Sequence, residues 1–212
     1  MNYFNYYFCY RMSRFFFVVW MVLLHFIRVH GRKNIPKKGP LILASNHVSL
    51  GDPPIVGVTC NRVPIHFLAK EELFYGKRWG WWFRWTRCIP ISRDKNNFKA
   101  IKEILAKLKE GRAIGLFPEG TRSETGELQE AELGVGFLAV KSKAPVIPMY
   151  ISGSKKALPV GGPYRPGLPI KVYIGKPVDL SEAEKISDRR QKYRFASDKI
   201  MQAIASLKRP AK

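Results

Sequence analysis

The sequence has few acidic residues for its length. Its 212 residues include 16 Asp and Glu but 37 Lys and Arg, which gives a formal net charge of +21 at pH 7. This excess favours an anionic partner, such as nucleic acid, an acidic membrane surface or an acidic substrate. Charge alone does not choose among these partners, so the choice depends on the motifs. The length fits one domain with a sizeable core.

Cysteine and histidine are also scarce. The three cysteines, Cys9, Cys60 and Cys88, are odd in number and widely spaced, a pattern that forms no disulfide framework and favours a reducing compartment. Neither they nor the four histidines have metal-ligand spacing, so we predict no metal site and no resident cofactor. The Gly-x-Ser-x-Gly elbow is missing and no cysteine adjoins a candidate base, which argues against a serine or thiol hydrolase.

A long apolar run is missing as well. A helix that spans a bilayer needs about 20 apolar residues, whereas residues 15–27 form a shorter run, and Arg11 and Arg14 separate it from the aromatic residues 3–10. Because Tyr, Phe, Arg and Lys are typical of the membrane interface, we predict a membrane-associated helical segment over residues 1–30. A helix buried in the core is one alternative, and a true span, which would bury both arginines, is another.

Beyond this segment, apolar runs that predict strands alternate with patterns that predict helices. The alternation predicts one α/β domain over residues 31–212, with a mixed central sheet flanked by helices. The predicted strands begin at Leu41, Pro64, Arg87, Ala113, Pro145 and Ile170, and the predicted helices cover residues 54–60, 97–111, 134–142 and a last helix that begins at the capping box Ser181-Glu-Ala-Glu184.

A tryptophan-rich segment interrupts this pattern at residues 76–85, where four tryptophans stand beside Lys and Arg. Two interpretations remain open: the tryptophans pack as core, or they form a membrane-facing patch, since tryptophan favours the interface.

The chemistry-bearing residues begin where the first strand ends. That apolar strand runs into Asn46-His47, and Asp52 follows in the turn at residues 51–54. The end of a strand is a usual place for chemistry in α/β folds. An imidazole takes up a proton near neutral pH, and a carboxylate that folds back onto one ring nitrogen leaves the other free as a base. In isolation, a turn histidine followed by an aspartate helix cap is the commoner explanation of this spacing.

Three further motifs favour the catalytic interpretation of His47 and Asp52. They follow in order as Ile91-Ser92-Arg93, Phe117-Pro-Glu-Gly-Thr-Arg122-Ser123 and Val146-Ile-Pro148. Together with Asn46-His47-x4-Asp52 they resemble the glycerolipid acyltransferase family, most closely its bacterial-type 1-acylglycerol-3-phosphate (lysophosphatidate) acyltransferases. The resemblance covers residues 31 to about 175, and the string around Glu119 is its most specific part.

The resemblance implies a 1-acylglycerol-3-phosphate O-acyltransferase. An acyl group would pass directly from a thioester, acyl-CoA or acyl-ACP (acyl carrier protein), to the sn-2 hydroxyl of lysophosphatidate, giving phosphatidic acid in phospholipid biosynthesis. His47 would be the general base, and Asp52 would orient it and stabilise the imidazolium. Ser49 lies between them, but nothing in the sequence positions it against the imidazole, and the resemblance implies no acyl-enzyme. Backbone amides of this turn are our candidates for the oxyanion donors.

The phosphate of the acceptor needs cations, and the planar fork of arginine suits it best. Arg122 and Arg93 are the leading candidates and Lys70 is a third, although Arg93 and Lys70 also fit simple surface charges. Glu119 would hold Arg122 or a backbone amide, and Gly120 would let the backbone approach the ligand closely. The predicted phosphate-binding set is Lys70, Arg93, Glu119, Gly120, Thr121 and Arg122. The predicted acyl-pocket set is Val146, Ile147 and Pro148. Without the resemblance, these three residues would be read as part of a buried strand.

One departure from the family pattern stands at Glu132-Leu133-Gly134, where members often carry a basic residue. It puts a phosphate or carrier contact from this position in doubt and leaves the resemblance intact.

The basic surface would attract anionic membrane lipid, lysophosphatidate and the acyl-CoA or acyl carrier protein, less so at high salt. We expect the protein at the cell membrane with its catalytic domain on the cytoplasmic side. The nearest rival function is the same chemistry on glycerol 3-phosphate, another lysophospholipid or an aminoacyl lipid. A non-catalytic module that binds anionic lipid is a different class, against which the intact His47 and Asp52 argue. The apolar N-terminus argues against nucleic acid as the partner.

Overall fold

The computed structural model describes residues 3–60, 62, 64–76, 80–92 and 97–209. Within these ranges the strands are β1 (Arg28–His30), β2 (Leu41–Ser45), β3 (Ile65–Lys70), β4 (Ile89–Ile91), β5 (Ala113–Leu116), β6 (Val146–Ser152) and β7 (Lys171–Ile174). The helices are α1 (Tyr3–His25), α2 (Asp52–Thr59), α3 (Glu72–Tyr75), α4 (Gly80–Trp85), α5 (Phe98–Lys109), α6 (Leu133–Ser142), α7 (Ser154–Ala157) and α8 (Arg189–Ala205).

The strands form one seven-stranded sheet in the order β1-β7-β6-β2-β5-β3-β4. Neighbouring strands are parallel except β6 and β7, which are antiparallel, so the predicted mixed sheet is confirmed. In the central strand β2, Leu43 pairs with Gly115 on one side and with Ile147 on the other. Because β2, β3, β5 and β6 run in the same direction, their carboxyl ends meet at one edge of the sheet. The segments that leave this edge after β2 and β5 carry the His47 motif and the Glu119 motif.

Each face of the sheet is covered by helices, and the side chains of β2 contribute to both cores. Leu41 and Leu43 are fully buried in the core shared with α1 and α2, while Ile42 and Ala44 are fully buried in the core beneath α5, α6 and α8. The strand has no polar alternation because both of its faces are covered. Full burial of each leucine or isoleucine contributes about 2 kcal/mol.

Helix α1 packs against the domain by one side only. Met21 on that side is almost fully buried. Arg14 donates hydrogen bonds to three main-chain carbonyls at the end of α2, those of Gly57, Val58 and Cys60. It thereby satisfies carbonyls that the last turn of a helix leaves open. The other side of α1 exposes large apolar side chains, namely Phe8, Met12, Phe15, Phe16, Val19, Val22, Leu23 and Leu24, so α1 is not an enclosed core helix.

No helix among the described residues combines the length and the apolarity that crossing a bilayer requires.

In the tryptophan-rich segment, packing is confirmed for Trp82, and the membrane-facing patch stays a prediction. Trp82 in α4 packs edge-on against Phe17 of α1, with ring centroids 6.2 Å apart. The neighbouring Trp81 is 54% exposed. Helix α4 therefore lies beside α1, with Trp82 packed and Trp81 exposed, while Trp79 lies outside the described ranges.

The last helix begins later than the sequence predicts. Ser181–Lys185 forms a short 3-10 helix, and the chain is extended at Ile186. Helix α8 begins only at Arg189, where the Asp188 carboxylate caps it by accepting a hydrogen bond from the Gln191 backbone N–H at 2.7 Å. The predicted capping box was therefore wrong, because a second and better-placed cap follows it. The sequence prediction also missed β1 and the short helices α3, α4 and α7.

Candidate active site

The central strand ends in a side chain that extends the sheet. The Asn46 carboxamide accepts a hydrogen bond from the Ile151 N–H at 2.7 Å and donates one to the Ile151 carbonyl at 3.1 Å. It therefore replaces one rung of the β2–β6 ladder while the main chain turns away. His47 is the first residue free of the sheet, and it stands at the carboxyl edge as predicted.

Asp52 binds back onto the turn that precedes it. It is the first residue of α2, it is fully buried, and its Oδ2 accepts three hydrogen bonds: from His47 Nδ1 at 2.9 Å and from the Val48 and Ser49 N–H groups at 2.7 Å each. All three donors converge on this one oxygen. Because Nδ1 gives its proton to a carboxylate, the neutral imidazole leaves Nε2 unprotonated, and Nε2 is then the basic atom.

The motif at residues 117–123 is bonded to the main chain of the same histidine. Glu119 Oε1 accepts from the His47 N–H at 2.9 Å, and the His47 carbonyl accepts from the Ser123 N–H at 2.8 Å. The other Glu119 oxygen accepts from the Gln129 N–H at 3.1 Å. Of the two roles predicted for Glu119, the structure shows the contact with backbone amides. Burial raises the pKa of the Glu119 carboxyl, while these two N–H donors and the neighbouring His47 lower it.

An aromatic side chain from the motif at residues 117–123 covers one face of the imidazole. Phe117 stacks on the His47 ring with centroids 4.1 Å apart. Phe67, in the middle of β3, follows behind it. Sequence reasoning gave neither phenylalanine a role, since the pairing of β2 with β5 brings the two motifs together and the pairing of β3 with β5 adds Phe67.

The described members of the predicted phosphate-binding set lie at the same edge. Arg122 is half-buried and Lys70, at the end of β3, is exposed, and neither has a hydrogen-bond or ion-pair partner among the described residues. Gly120 has a left-handed backbone (φ 69°), which favours glycine, and Thr121 is exposed. Arg93 lies outside the described ranges.

The departure at residues 132–134 lies beside this motif. The Glu132 N–H donates to the Pro118 carbonyl at 2.8 Å, and its side chain lies 3.0 Å from where a Cβ on Gly120 would stand. An acidic side chain therefore borders the loop that carries Arg122.

The predicted acyl-pocket residues are buried in β6. Val146 belongs to the core beneath α5, α6 and α8, and Ile147 belongs to the core shared with α1 and α2. Pro148 is buried, and its carbonyl accepts a hydrogen bond from the Gly175 N–H. In this structure they support the strand beside the site, and their contact with an acyl chain stays a prediction.

Ser49 is engaged away from the imidazole. Its hydroxyl donates to the Leu158 carbonyl at 2.8 Å and accepts from the Gly51 N–H at 3.0 Å. This arrangement agrees with direct transfer rather than an acyl-enzyme. The N–H groups of Val48, Ser49 and Gly51 donate within the turn, and the His47 N–H donates to Glu119, so these four amides already have acceptors. The identity of the oxyanion donors stays a prediction.

Within the described ranges, no three His, Cys, Asp or Glu side chains come together in a way that could hold a metal ion.

At the carboxyl edge of a mixed α/β sheet, the structure places a histidine bonded to a buried carboxylate, together with Arg122 and Lys70. The chain matches the family model described as Acyltransferase over residues 26–152, a range that contains both His47 and the Glu119 motif. It belongs to the acyltransferase family.

The chain is also similar to several named proteins. The 1-acyl-sn-glycerol-3-phosphate acyltransferase of Bacillus subtilis is 30% identical over 156 residues, which are 74% of this chain and 75% of that protein. A chloroplastic enzyme of the same name from Brassica napus is 29% identical over 76% of this chain and 47% of its own length. The crystal structure of the 1-acyl-sn-glycerophosphate acyltransferase of Thermotoga maritima superposes with a TM-score of 0.71 at 27% identity, over 96% of this chain and 80% of that one.

Proposed function

We propose that the protein transfers a fatty acyl group from an acyl thioester to the sn-2 hydroxyl of 1-acyl-sn-glycerol 3-phosphate, giving phosphatidic acid. The observation that carries this proposal is the 2.9 Å hydrogen bond from His47 Nδ1 to the buried Asp52, at the point where the Glu119 loop is bonded to the same histidine. The names of the Bacillus subtilis and Thermotoga maritima relatives support this acceptor.

His47 is the general base of the proposed reaction. Its Nε2 takes the proton of the sn-2 hydroxyl while that oxygen bonds to the thioester carbonyl carbon. When the tetrahedral intermediate collapses, the carbon–sulfur bond breaks and the imidazolium gives its proton to the departing thiolate. Asp52 stays ionised and stabilises the imidazolium. A positioned base of this kind contributes about 10²–10⁴-fold to the rate.

Arg122 and Lys70 bind the phosphate of the acceptor. Both are cations at the carboxyl edge without a partner among the described residues, so an anionic ligand does not have to displace an internal carboxylate. Arg122 can offer two parallel N–H donors to phosphate oxygens, whereas Lys70 acts as a point charge. Gly120 and Thr121 belong to the same loop, and Arg93 stays a predicted third cation.

The outer side of α1 rests in the membrane interface. Its exposed apolar side chains run from Phe8 to Leu24. Most of them recur at intervals of three and four residues, and Phe16, Leu23 and Leu24 widen the set, so together they form one broad stripe along the helix. Exposed cations stand in and just after α1 at Arg11, Arg28, Arg32 and Lys33, where anionic head groups would attract them. We place the protein at the cell membrane, with its catalytic domain on the cytoplasmic side.

The proposal is tested by acyl transfer to lysophosphatidate in detergent micelles, with acyl-CoA and acyl carrier protein thioesters in separate assays. We expect the wild type to form phosphatidate and His47→Ala to lose at least about 10²-fold in rate. His30→Ala is the matched control, because His30 is exposed in β1 and stacks on Tyr173.

Equal activity of His47→Ala and the wild type would remove His47 as the base. Monoacylglycerol and glycerol 3-phosphate, offered as alternative acceptors, separate the proposed reaction from its nearest rivals. Acylation of glycerol 3-phosphate in preference to lysophosphatidate would replace the proposed acceptor.

A further inference from the structure

Three aromatic rings follow one another at the carboxyl edge of the sheet. The His47 imidazole stacks on Phe117 with 4.1 Å between centroids and 20° between planes, and Phe117 faces Phe67 at 6.4 Å and 18°. Both phenylalanines are partly buried against the core shared with α1 and α2. One face of the candidate base is therefore supported from the packed interior.

The register of the sheet determines this stack. Phe67 in β3 pairs with Gly115 in β5. Phe117 follows Gly115 by two residues, which places it on the same face of the strand. A Cβ on Gly115 would clash with the Phe67 ring, so the glycine leaves the space that this ring occupies. Phe67 then backs Phe117, and Phe117 backs His47.

Asp52 and Phe117 restrict the imidazole in different ways. The hydrogen bond to Asp52 determines which ring nitrogen points inward. That bond alone tolerates a tilt of the ring plane, whereas the stacked Phe117 opposes rotation about the Cβ–Cγ bond. The tilt matters because Nε2 has to lie within hydrogen-bond reach of the attacking hydroxyl.

Resting on the proposed function, we propose that Phe117 is a positioning residue for the general base, which fixes the plane of the His47 ring and stabilises the imidazolium formed during acyl transfer. An aromatic face attracts a cation held against it, and the attraction is stronger where water is excluded. The His47 side chain is 17% exposed, so the ring is largely shielded from water. Phe117 does not need to touch either substrate to act in this way.

The charged groups that face His47 are few among the described residues. Asp52 bonds to its Nδ1, Glu119 bonds to its backbone N–H, and Arg122 lies in the loop that holds its carbonyl. All three remain in a Phe117 variant. A change in the titration of His47 between such variants therefore reports the loss of the aromatic face.

The test compares the wild type, Phe117→Leu, Phe117→Tyr and Phe67→Leu as full chains in micelles. Turnover of lysophosphatidate gives kcat and KM, and the imidazole C–H signal gives the titration midpoint of His47 by NMR. For Phe117→Leu, which keeps apolar bulk and removes the aromatic face, we expect kcat about tenfold lower, KM within about twofold and a midpoint about half a pH unit lower. Phe117→Tyr should keep kcat within about twofold.

Phe67→Leu makes the same change one ring further from the base, so its midpoint should stay that of the wild type. If the two leucine variants lost kcat equally and the titration midpoint of His47 did not move in either, Phe117 would contribute only packing, and the inference would be overturned. A Phe117→Leu variant with wild-type kcat and midpoint would do the same. Should that variant fail to unfold cooperatively on heating, Phe117→Met takes its place in the comparison.

Failure of the proposed function is distinguishable from failure of this inference. If the wild type forms no phosphatidate, the proposed reaction is rejected. The NMR titration needs no turnover, so it still decides whether the Phe117 ring stabilises the charged imidazole.

Discussion

The two halves of the candidate site are built differently. Around His47 most polar groups are already engaged, because its N–H and carbonyl bond to the loop from Glu119 to Ser123 and its Nδ1 bonds to Asp52 Oδ2. The other Asp52 oxygen, Oδ1, is buried without a hydrogen-bond partner among the described residues. In the other half, Arg122 and Lys70 have no partner among the described residues. The first half is fixed before any substrate arrives, and the second is open to a ligand.

The difference follows from the two tasks. A base has to stand at a set place when the bond forms, and a protein achieves this with contacts made in advance. A cation that binds phosphate loses its use if an internal carboxylate already neutralises it. The shortage of acidic residues, 16 against 37 basic ones, serves the second task, because many cations cannot find an internal partner.

Substitution in the fixed half should have the largest effect. Asn in place of Asp52 keeps the shape of the side chain but removes the charge that stabilises the imidazolium. We expect Asp52→Asn to lower kcat about 10²–10⁴-fold with little change in KM for lysophosphatidate. The measurement is steady-state turnover in micelles.

Asp188→Asn is the matched control for that substitution. Asp188 caps α8, and Asn is an equally good cap, so neither kcat nor stability should change much. A loss of kcat in Asp52→Asn no greater than in this control would mean that Asp52 acts only as a helix-start residue.

Substitution in the open half should act on binding. We expect Arg122→Ala to raise KM for lysophosphatidate about 10–100-fold, since a hydrogen bond to a charged group contributes about 1.5–3 kcal/mol. Acylation of monoacylglycerol, which has no phosphate, should be affected far less. Arg190→Ala, an exposed arginine on α8, is the control. An equal loss for both acceptors would contradict the assignment of Arg122 to the phosphate.

Glu119 bonds the motif at residues 117–123 to the main chain of His47, so its replacement should affect stability. Gln can accept at only one end, and the N–H of either His47 or Gln129 then loses its acceptor. We expect Glu119→Gln to lower the free energy of unfolding by about 1–3 kcal/mol near neutral pH, measured by urea denaturation. A variant as stable as the wild type at neutral pH would show that the two hydrogen bonds contribute nothing net.

The same variant has a characteristic pH dependence. Burial raises the pKa of Glu119 in the folded protein above its ordinary value of 4.5. Between that value and the raised one, the folded protein holds a proton that the unfolded chain has released, so the contribution of Glu119 to stability falls as pH rises. The wild type should lose stability relative to Glu119→Gln as pH rises through this window. A constant difference over the window would contradict the raised pKa.

The sequence predicts the fixed half better than it predicts what supports it. His47 and Asp52 are five residues apart at the end of an apolar strand, so their contact forms within one turn. The bonds from Glu119 to His47 and from Phe117 to the imidazole depend on the pairing of β2 with β5, a contact between segments about seventy residues apart. No local pattern gives that register.

The same limit explains the errors in the fold. Two possible helix starts, Ser181 and Asp188, stand close together, and local capping patterns do not show which one the tertiary structure uses. Strand β1 was missed because two of its three residues, Arg28 and His30, are basic or polar, and because it lies at the end of the segment predicted to be helical. The long, strongly patterned α5 and the apolar strands β2, β5 and β6 were predicted correctly, since periodicity alone specifies them.

The smallest predicted effect concerns the exposed cation. Lys70 is exposed, so salt screens its attraction to phosphate, whereas the contact between His47 and the buried Asp52 is shielded. We expect Lys70→Ala to raise KM for lysophosphatidate by about two- to fivefold at low ionic strength and by less near 0.5 M salt, with kcat unchanged at both. Lys99→Ala, an exposed lysine on α5, serves as the control. If salt lowered kcat and left KM unchanged, the division into a fixed half and an open half would be wrong, because the screened interactions would then belong to the chemical step.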